Sequence, residues 1–182
     1  QWHGVCGNDC YLTSTSGSSS QFANIYVKLG VSYKNYVNHS SITGCVNEYS
    51  DSYYTLRLSH GTICCQSVNI SMNKCYFQSG VYCYPVPIQN SITCSFSYSS
   101  FADNNATGCN CIFLNTGANY EIKYCNIIRN TQVDLSSEGT ICTKGKLTIE
   151  DSCILENKAD HIFCAYFSYT ITLSKCTVDS TT

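Results

Sequence analysis

Apolar and polar residues alternate along much of this chain. From Phe22 onward Ile25, Val27, Leu29, Val31 and Tyr33 take every second position, with Tyr26, Lys28, Gly30 and Ser32 between them. A period of two sends the two sets to opposite sides of a strand, so a strand with one buried face is predicted there. Residues 34–60 repeat the theme with Ile42 and Cys45, then Tyr54, Leu56 and Leu58. No stretch carries the 3.6-residue spacing and end caps of a helix. The two prolines, Pro85 and Pro87, sit together and mark a turn or a sheet edge.

From Gly61 one phrase recurs: a small residue, apolar residues and a cysteine, then a gap, then an alternating strand that meets a second cysteine. The first cysteines are Cys64, Cys83, Cys111, Cys142 and Cys164. The second are Cys75, Cys94, Cys125, Cys153 and Cys176, which follow 11, 11, 14, 11 and 12 residues later. Successive first cysteines are 19, 28, 31 and 22 residues apart, with the extra length assigned to polar loops at Ser97–Asn105 and Asn130–Glu138. Such a unit cannot bury its own apolar face. Stacked coils bury it for one another at a spacing of about 4.8 Å. The predicted fold is therefore all-β: a right-handed parallel β-helix of about six to eight coils, disulfide-rich, over residues 21–182. The leucine-rich-repeat phrase is absent. Residues 1–20, with Cys6, Cys10 and a Ser/Gly run, are expected to form an N-terminal arm, held by its own disulfides or against a neighbouring subunit.

Composition sharpens the setting. Fifteen cysteines in 182 residues point to an oxidising compartment, so the protein is expected to be secreted, extracellular or at the cell surface. The start at Gln1 reads as a processed terminus. Sequons at Asn38, Asn69 and Asn105 add N-linked glycans as expected partners. A net charge of −2, with only 12% charged residues and no basic patch, argues against nucleic acid. No apolar run reaches the length of a membrane helix, so no membrane insertion is expected.

In a coil stack the first and second cysteines would each line up as a column. Adjacent rungs lie within disulfide reach, so the columns would staple the coils together. The alternative is a column of buried thiols acting as small apolar fillers. Cys6, Cys10, Cys45, Cys65 and Cys109 remain as further disulfide candidates, and the odd count leaves one cysteine over.

The repeats resemble the right-handed parallel β-helices of the pectin-lyase-like superfamily, in particular the Cys-rich, non-catalytic repeats of eukaryotic microbial surface proteins. That resemblance implies two enzyme chemistries to test. Hydrolases of this type place paired Asp residues on neighbouring rungs, and lyases hold Ca²⁺ with stacked carboxylates. The 12 acidic residues here are scattered, and the His60-Gly61 dipeptide alone matches the hydrolase pattern. Glu150-Asp151 reads as a solvated bend. His60 near Cys64, the Cys109/Cys111 pair and vicinal Cys64-Cys65 do not make a two-plus-two zinc arrangement. No catalytic residue, metal or cofactor is expected. Exposed tyrosines, crowded at Tyr33, Tyr36, Tyr49, Tyr53 and Tyr54, are candidates for stacking on sugars or for a protein interface.

The expected function is structural. The apolar last coil, with Ile171, Leu173, Cys176 and Val178, and the first strand would stack head to tail into a homopolymeric filament. A monomeric adhesin or glycan-binding ectodomain is the second expectation, and a polysaccharide lyase or hydrolase the third.

Overall fold

The computed structural model describes residues 2–8, 20–30, 32–46, 52–133 and 138–179. The chain winds as a parallel β-solenoid, and no helix occurs among the described residues. The first rung holds β1 (Trp2–His3), β2 (Cys6–Asn8) and β3 (Ser20–Tyr26). The second holds β4 (Lys34–Asn38), β5 (Ser41–Thr43) and β6 (Ser52–Ser59). The third holds β7 (Thr62–Gln66), β8 (Asn69–Ser71), β9 (Lys74–Cys75) and β10 (Gln78–Tyr84). The fourth holds β11 (Ile92–Ser97), β12 (Ser100–Ala102), β13 (Asn105–Ala106) and β14 (Ile112–Leu114). The fifth holds β15 (Asn119–Lys123), β16 (Asn126–Ile128), β17 (Thr131–Gln132) and β18 (Ile141–Thr143). The sixth holds β19 (Lys146–Glu150), β20 (Cys153–Leu155) and β21 (Phe163–Ala165). A last, partial rung holds β22 (Ile171–Ser174) and β23 (Thr177–Val178).

Three long faces result. The first is the seven-stranded sheet from β1 through β4, β7, β11, β15 and β19 to β22. The second is the seven-stranded sheet from β2 to β23. The third is the six-stranded sheet β3-β6-β10-β14-β18-β21, and a short fourth sheet joins β9, β13 and β17. The stretch expected as an arm supplies β1 and β2, which pair in register with β4 and β5; Cys10 and the Ser/Gly run lie outside the described residues.

Inward residues stack in columns. On the first face Val37, Cys65, Phe96, Ile122, Ile149 and Leu173 share one register line, and Asn35, Ile63, Cys94, Tyr120, Leu147 and Ile171 another. On the second face the line is Ile42, Ile70, Phe101, Ile127, Ile154 and Val178. Phe96 and Phe101 meet edge to face across the core at 5.5 Å between ring centroids, a geometry that adds to their burial.

The corners are made by single residues in the left-handed region. His39, Ser67, Tyr98, Tyr124, Asp151 and Lys175 turn the first face into the second at φ of 47–55°. Gly44, Met72, Asp103, Arg129 and Glu156 make the next corner. This conformation costs a non-glycine residue about 1–2 kcal/mol. The inter-rung hydrogen bonds carry the cost. Tyr98 N donates to Lys123 O, and after the corner Ser100 N donates to Val68 O, so the ladder passes round the bend unbroken.

The residue after the second corner is asparagine on four successive rungs. Asn73, Asn104 and Asn130 each pass a side-chain N–H to the Oδ1 of the next, ending on Asn157, at 2.9–3.0 Å. Their second N–H goes to Ile42, Ile70 and Phe101 O. The backbone N–H groups of Asn73 and Asn104 donate to the Oδ1 one rung on. Asn104 thus satisfies all four of its side-chain hydrogen-bonding positions while buried.

Three expectations need correction. First, the length of a turn differs: the chain makes about five turns from its first rung to its sixth, with a partial seventh beyond, against the about six to eight coils expected. The turn measured along the asparagine ladder is 31, 26 and 27 residues, longer than the shortest cysteine interval suggested.

Second, the cysteine columns do not exist as drawn. Cys64 lies on the first face, Cys83, Cys142 and Cys164 on the third, and Cys111 precedes β14. In the second set Cys94 is on the first face, Cys75 on the short sheet and Cys153 on the second face, while Cys125 and Cys176 are corner residues separated by Ser152. None of the fourteen described cysteines, Cys6, Cys45, Cys65 and Cys109 included, is in a disulfide. The thiols occupy slots that neighbouring rungs give to other small residues. Cys125 Sγ lies 3.1 Å from Lys123 O, the hydrogen bond that Ser99 and Ser152 make with their hydroxyls. Cys45 precedes the asparagines in their column and gives its N–H to Asn73 Oδ1.

Third, the strand predicted through Val31 ends at Tyr26, and Leu29 is 67% exposed. Ser97–Asn105 is no loop but the regular path through β12 and β13. The glycine of the recurring phrase has its own cause at Gly61. Its φ is +68°, and a Cβ there would lie 2.4 Å from Tyr33 O.

Candidate ligand trough on the third face

On β6, β10, β14 and β18 the side chains alternate in and out. Leu56 and Leu58, Val81 and Cys83, and Ile112 and Leu114 point into the core. The residues between them, Arg57, Tyr82 and Phe113, share one outward register line, which continues to Cys142 and Cys164. Tyr54 and Tyr166 join this line in a second apolar cluster, outside the main core.

The rings form a row. Tyr54 and Tyr82 stand 4.4 Å apart between centroids, Tyr82 and Phe113 5.7 Å, and Phe113 and Tyr166 6.1 Å. Two cations lie over them. The Arg57 guanidinium is 5.5 Å from both Tyr54 and Tyr82, and Lys144 Nζ is 5.2 Å from Phe113 and 5.3 Å from Tyr166. Such cation–ring contacts hold long side chains flat on the sheet. Glu138 accepts hydrogen bonds from Asn110 Nδ2 and the Tyr166 hydroxyl. Asn115 Nδ2 donates to the Tyr82 hydroxyl. Burial raises the pKa of Tyr82 and Tyr166, and beside Glu138 the Cys109 thiol is pushed up to about 12, first by burial and then by that carboxylate. These hydroxyls and this thiol are hydrogen-bond donors at neutral pH.

Two hollows adjoin along this face, and Asn115 lines both. The smaller, of about 250 Å³, is bounded by Tyr54, Phe77, Gln78, Tyr82, Cys109, Phe113, Glu138 and Lys144. The larger, of about 550 Å³, is bounded by Leu29, His60, Tyr84, Pro85, Val86, Pro87, Thr116 and Gly117. Its wall is an aromatic stack along the corner: the His60 ring lies 4.8 Å from Tyr26 and 5.9 Å from Tyr84, both edge-on. The His60 Nδ1 is buried without a hydrogen-bond partner. The volume falls in the range of small-ligand sites, and the lining, apolar with a few directed polar groups, matches such sites.

The residues singled out in the sequence scatter. Asn69 is exposed on the second face, whereas Asn38 and Asn105 are half-buried with their side-chain oxygens covered. Glu150 pairs with Lys123 at 3.1 Å, and Asp151 is a corner, as expected of a solvated bend. Of the crowded tyrosines Tyr54 is in the trough and Tyr33 is 39% exposed, while Tyr49 lies outside the described residues. Arg57, Tyr82, Phe113, Lys144, Tyr166 and Glu138 were not anticipated. Their signal is the middle residue of each apolar triplet, Val81-Tyr82-Cys83 and Ile112-Phe113-Leu114, which the two-residue period sends outward. The chain matches no family model, no curated protein and no solved structure.

Proposed function

We propose that the protein is a non-catalytic, secreted or cell-surface β-solenoid that binds glycan chains in the trough of its third face. One observation supports this reading above others: the row Tyr54, Tyr82, Phe113 and Tyr166 continues past Asn115 into a second, larger hollow walled by Tyr84 and His60. A sugar ring offers an apolar face to aromatic side chains and hydroxyls to amides and charged groups, and the trough supplies both. The kinship with right-handed surface-protein repeats of the pectin-lyase-like superfamily belongs to this proposal. Exposed Asn69 is its best-placed N-glycan acceptor.

The test is a glycan array followed by calorimetry with the purified protein. Binding is expected, and Tyr84→Ala is expected to weaken it about tenfold, the loss of roughly 1.4 kcal/mol of stacking. An array without a binder, or a Tyr84→Ala variant with unchanged affinity, overturns the reading.

Head-to-tail assembly is the second reading. Ile171, Leu173, Cys176 and Val178 pack on the core yet stay only partly covered. Another rung, from any source, would cover them. Discrete particles by electron microscopy at high concentration would sink this reading and leave the glycan reading standing.

A further inference from the structure

We propose that Cys142 and Cys164 form a reactive dithiol, a site of thiol–disulfide exchange with small-molecule disulfides. Among the described strand pairs they are the one place where two cysteines are register partners. Register partners on adjacent parallel strands stand about 4.8 Å apart and point to the same side. That separation lies inside the Cα range of a disulfide, and the two strands supply the common direction that a sulfur bridge needs. The expected ladder of stapled cysteines thus contracts to a single pair.

The surroundings give the two sulfurs different parts. Cys142 is fully buried in the outward cluster with Tyr82 and Phe113, whereas Cys164 at the end of the row is half-exposed. The Gly139 N–H reaches Cys142 Sγ at 3.2 Å. Cys142 Sγ lies 3.4 Å from Gly139 O, and the neighbouring Cys142 thiol holds Cys164 below the ordinary thiol range, at about 6, while the same contact and burial push Cys142 up. Glu138 opposes the thiolate and His161 favours it, each less than the thiol–thiol contact does. Tyr166 also faces the pair and donates its hydroxyl to Glu138 rather than to sulfur. Cys83 and Cys94 also touch, but both are sealed in the core, out of reach of a reagent.

The reaction balances with one disulfide as oxidant. The Cys164 thiolate attacks one sulfur of R–S–S–R, a mixed disulfide forms, and RS⁻ leaves. Cys142 then attacks Cys164 Sγ, the protein disulfide forms, and the second RS⁻ leaves with the Cys142 proton. The protein loses two electrons, and the small disulfide becomes two thiols.

Reduced, folded protein is treated with limiting iodoacetamide at pH 7, and separately with oxidised glutathione, and its peptides are mapped by mass spectrometry. Cys164 is expected to alkylate at least about tenfold faster than exposed Cys6. Glutathione disulfide is expected to yield the Cys142–Cys164 bond in the wild type, and a stable glutathione adduct on Cys164 in Cys142→Ser. Alkylation of Cys6, Cys153 or Cys176 ahead of Cys164, or an internal bond between other cysteines, overturns the proposal. The wild-type map decides the matter even where Cys142→Ser does not fold.

Discussion

Asn104 shows what one residue does in this molecule. Its amide takes two N–H groups from Asn73 and gives two, to Ile70 O and Asn130 Oδ1. Asn104→Ala removes all of these and strands two Asn73 donors, its backbone N–H and one side-chain N–H, together with one accepting site of Asn130 Oδ1, in a dry interior. The expected loss is about 3 kcal/mol by chemical denaturation, since each buried group left unsatisfied costs about 1–3 kcal/mol. Asn69→Ala is the contrast. That side chain is exposed, with one 3.4 Å contact to Ser41, and its removal is expected to stay within about 0.5 kcal/mol. Equal effects would show that the ladder adds nothing. The asparagine ladder was not read from the sequence, although the residues stood in view. Asparagine is common in loops, and only stacking tells a ladder from a turn.

At the scale of the element, the corners decide the fold's outline. Their left-handed residues include His39, Tyr98, Tyr124, Arg129 and Lys175, none of which announces a turn. Inter-rung hydrogen bonds impose the conformation, so a rule built on glycine and asparagine passes over it. The outer side of the second corner also holds an ion pair. Arg129 meets Asp103 with Nε at 2.7 Å, and this hydrogen bond holds the Asp103 carboxyl below its ordinary range. A carboxylate with a depressed folded pKa adds stability above its unfolded value of about 4 and loses it as pH falls through the lower folded value. Wild type is therefore expected to lose stability on acidification below about pH 4 more steeply than Asp103→Asn. The effect is small, because both side chains are exposed and screened. Superimposable acid limbs would remove Asp103 from the account.

At the scale of the whole molecule, the cysteines fill rather than staple. Eight of them, from Cys45 to Cys142, are buried. Burial pushes Cys65 and Cys83 well up, Cys111 to about 12 and Cys125 to about 11, so they are protonated and slow to react. A thiol titration without reductant is expected to find few reactive groups in the native protein and most of the 15 cysteines once it is unfolded. A near-zero count in denaturant would mean that disulfides hold the stack after all. The interior then explains itself without them: each rung buries the apolar face of the next.

Alternation alone, as at Leu56 and Leu58 or at Leu147 and Ile149, was enough to establish strands, repeats and a parallel stack. A two-residue period leaves one apolar face that only a neighbouring rung can cover. Tertiary structure decided the rest: which cysteine faces which neighbour, where the corners fall, and which outward rings meet in a trough. Those follow from register between rungs 24–31 residues apart. Turn length varies from rung to rung, so spacing along the chain does not reveal that register. A shift of one residue moves every side chain to the opposite face.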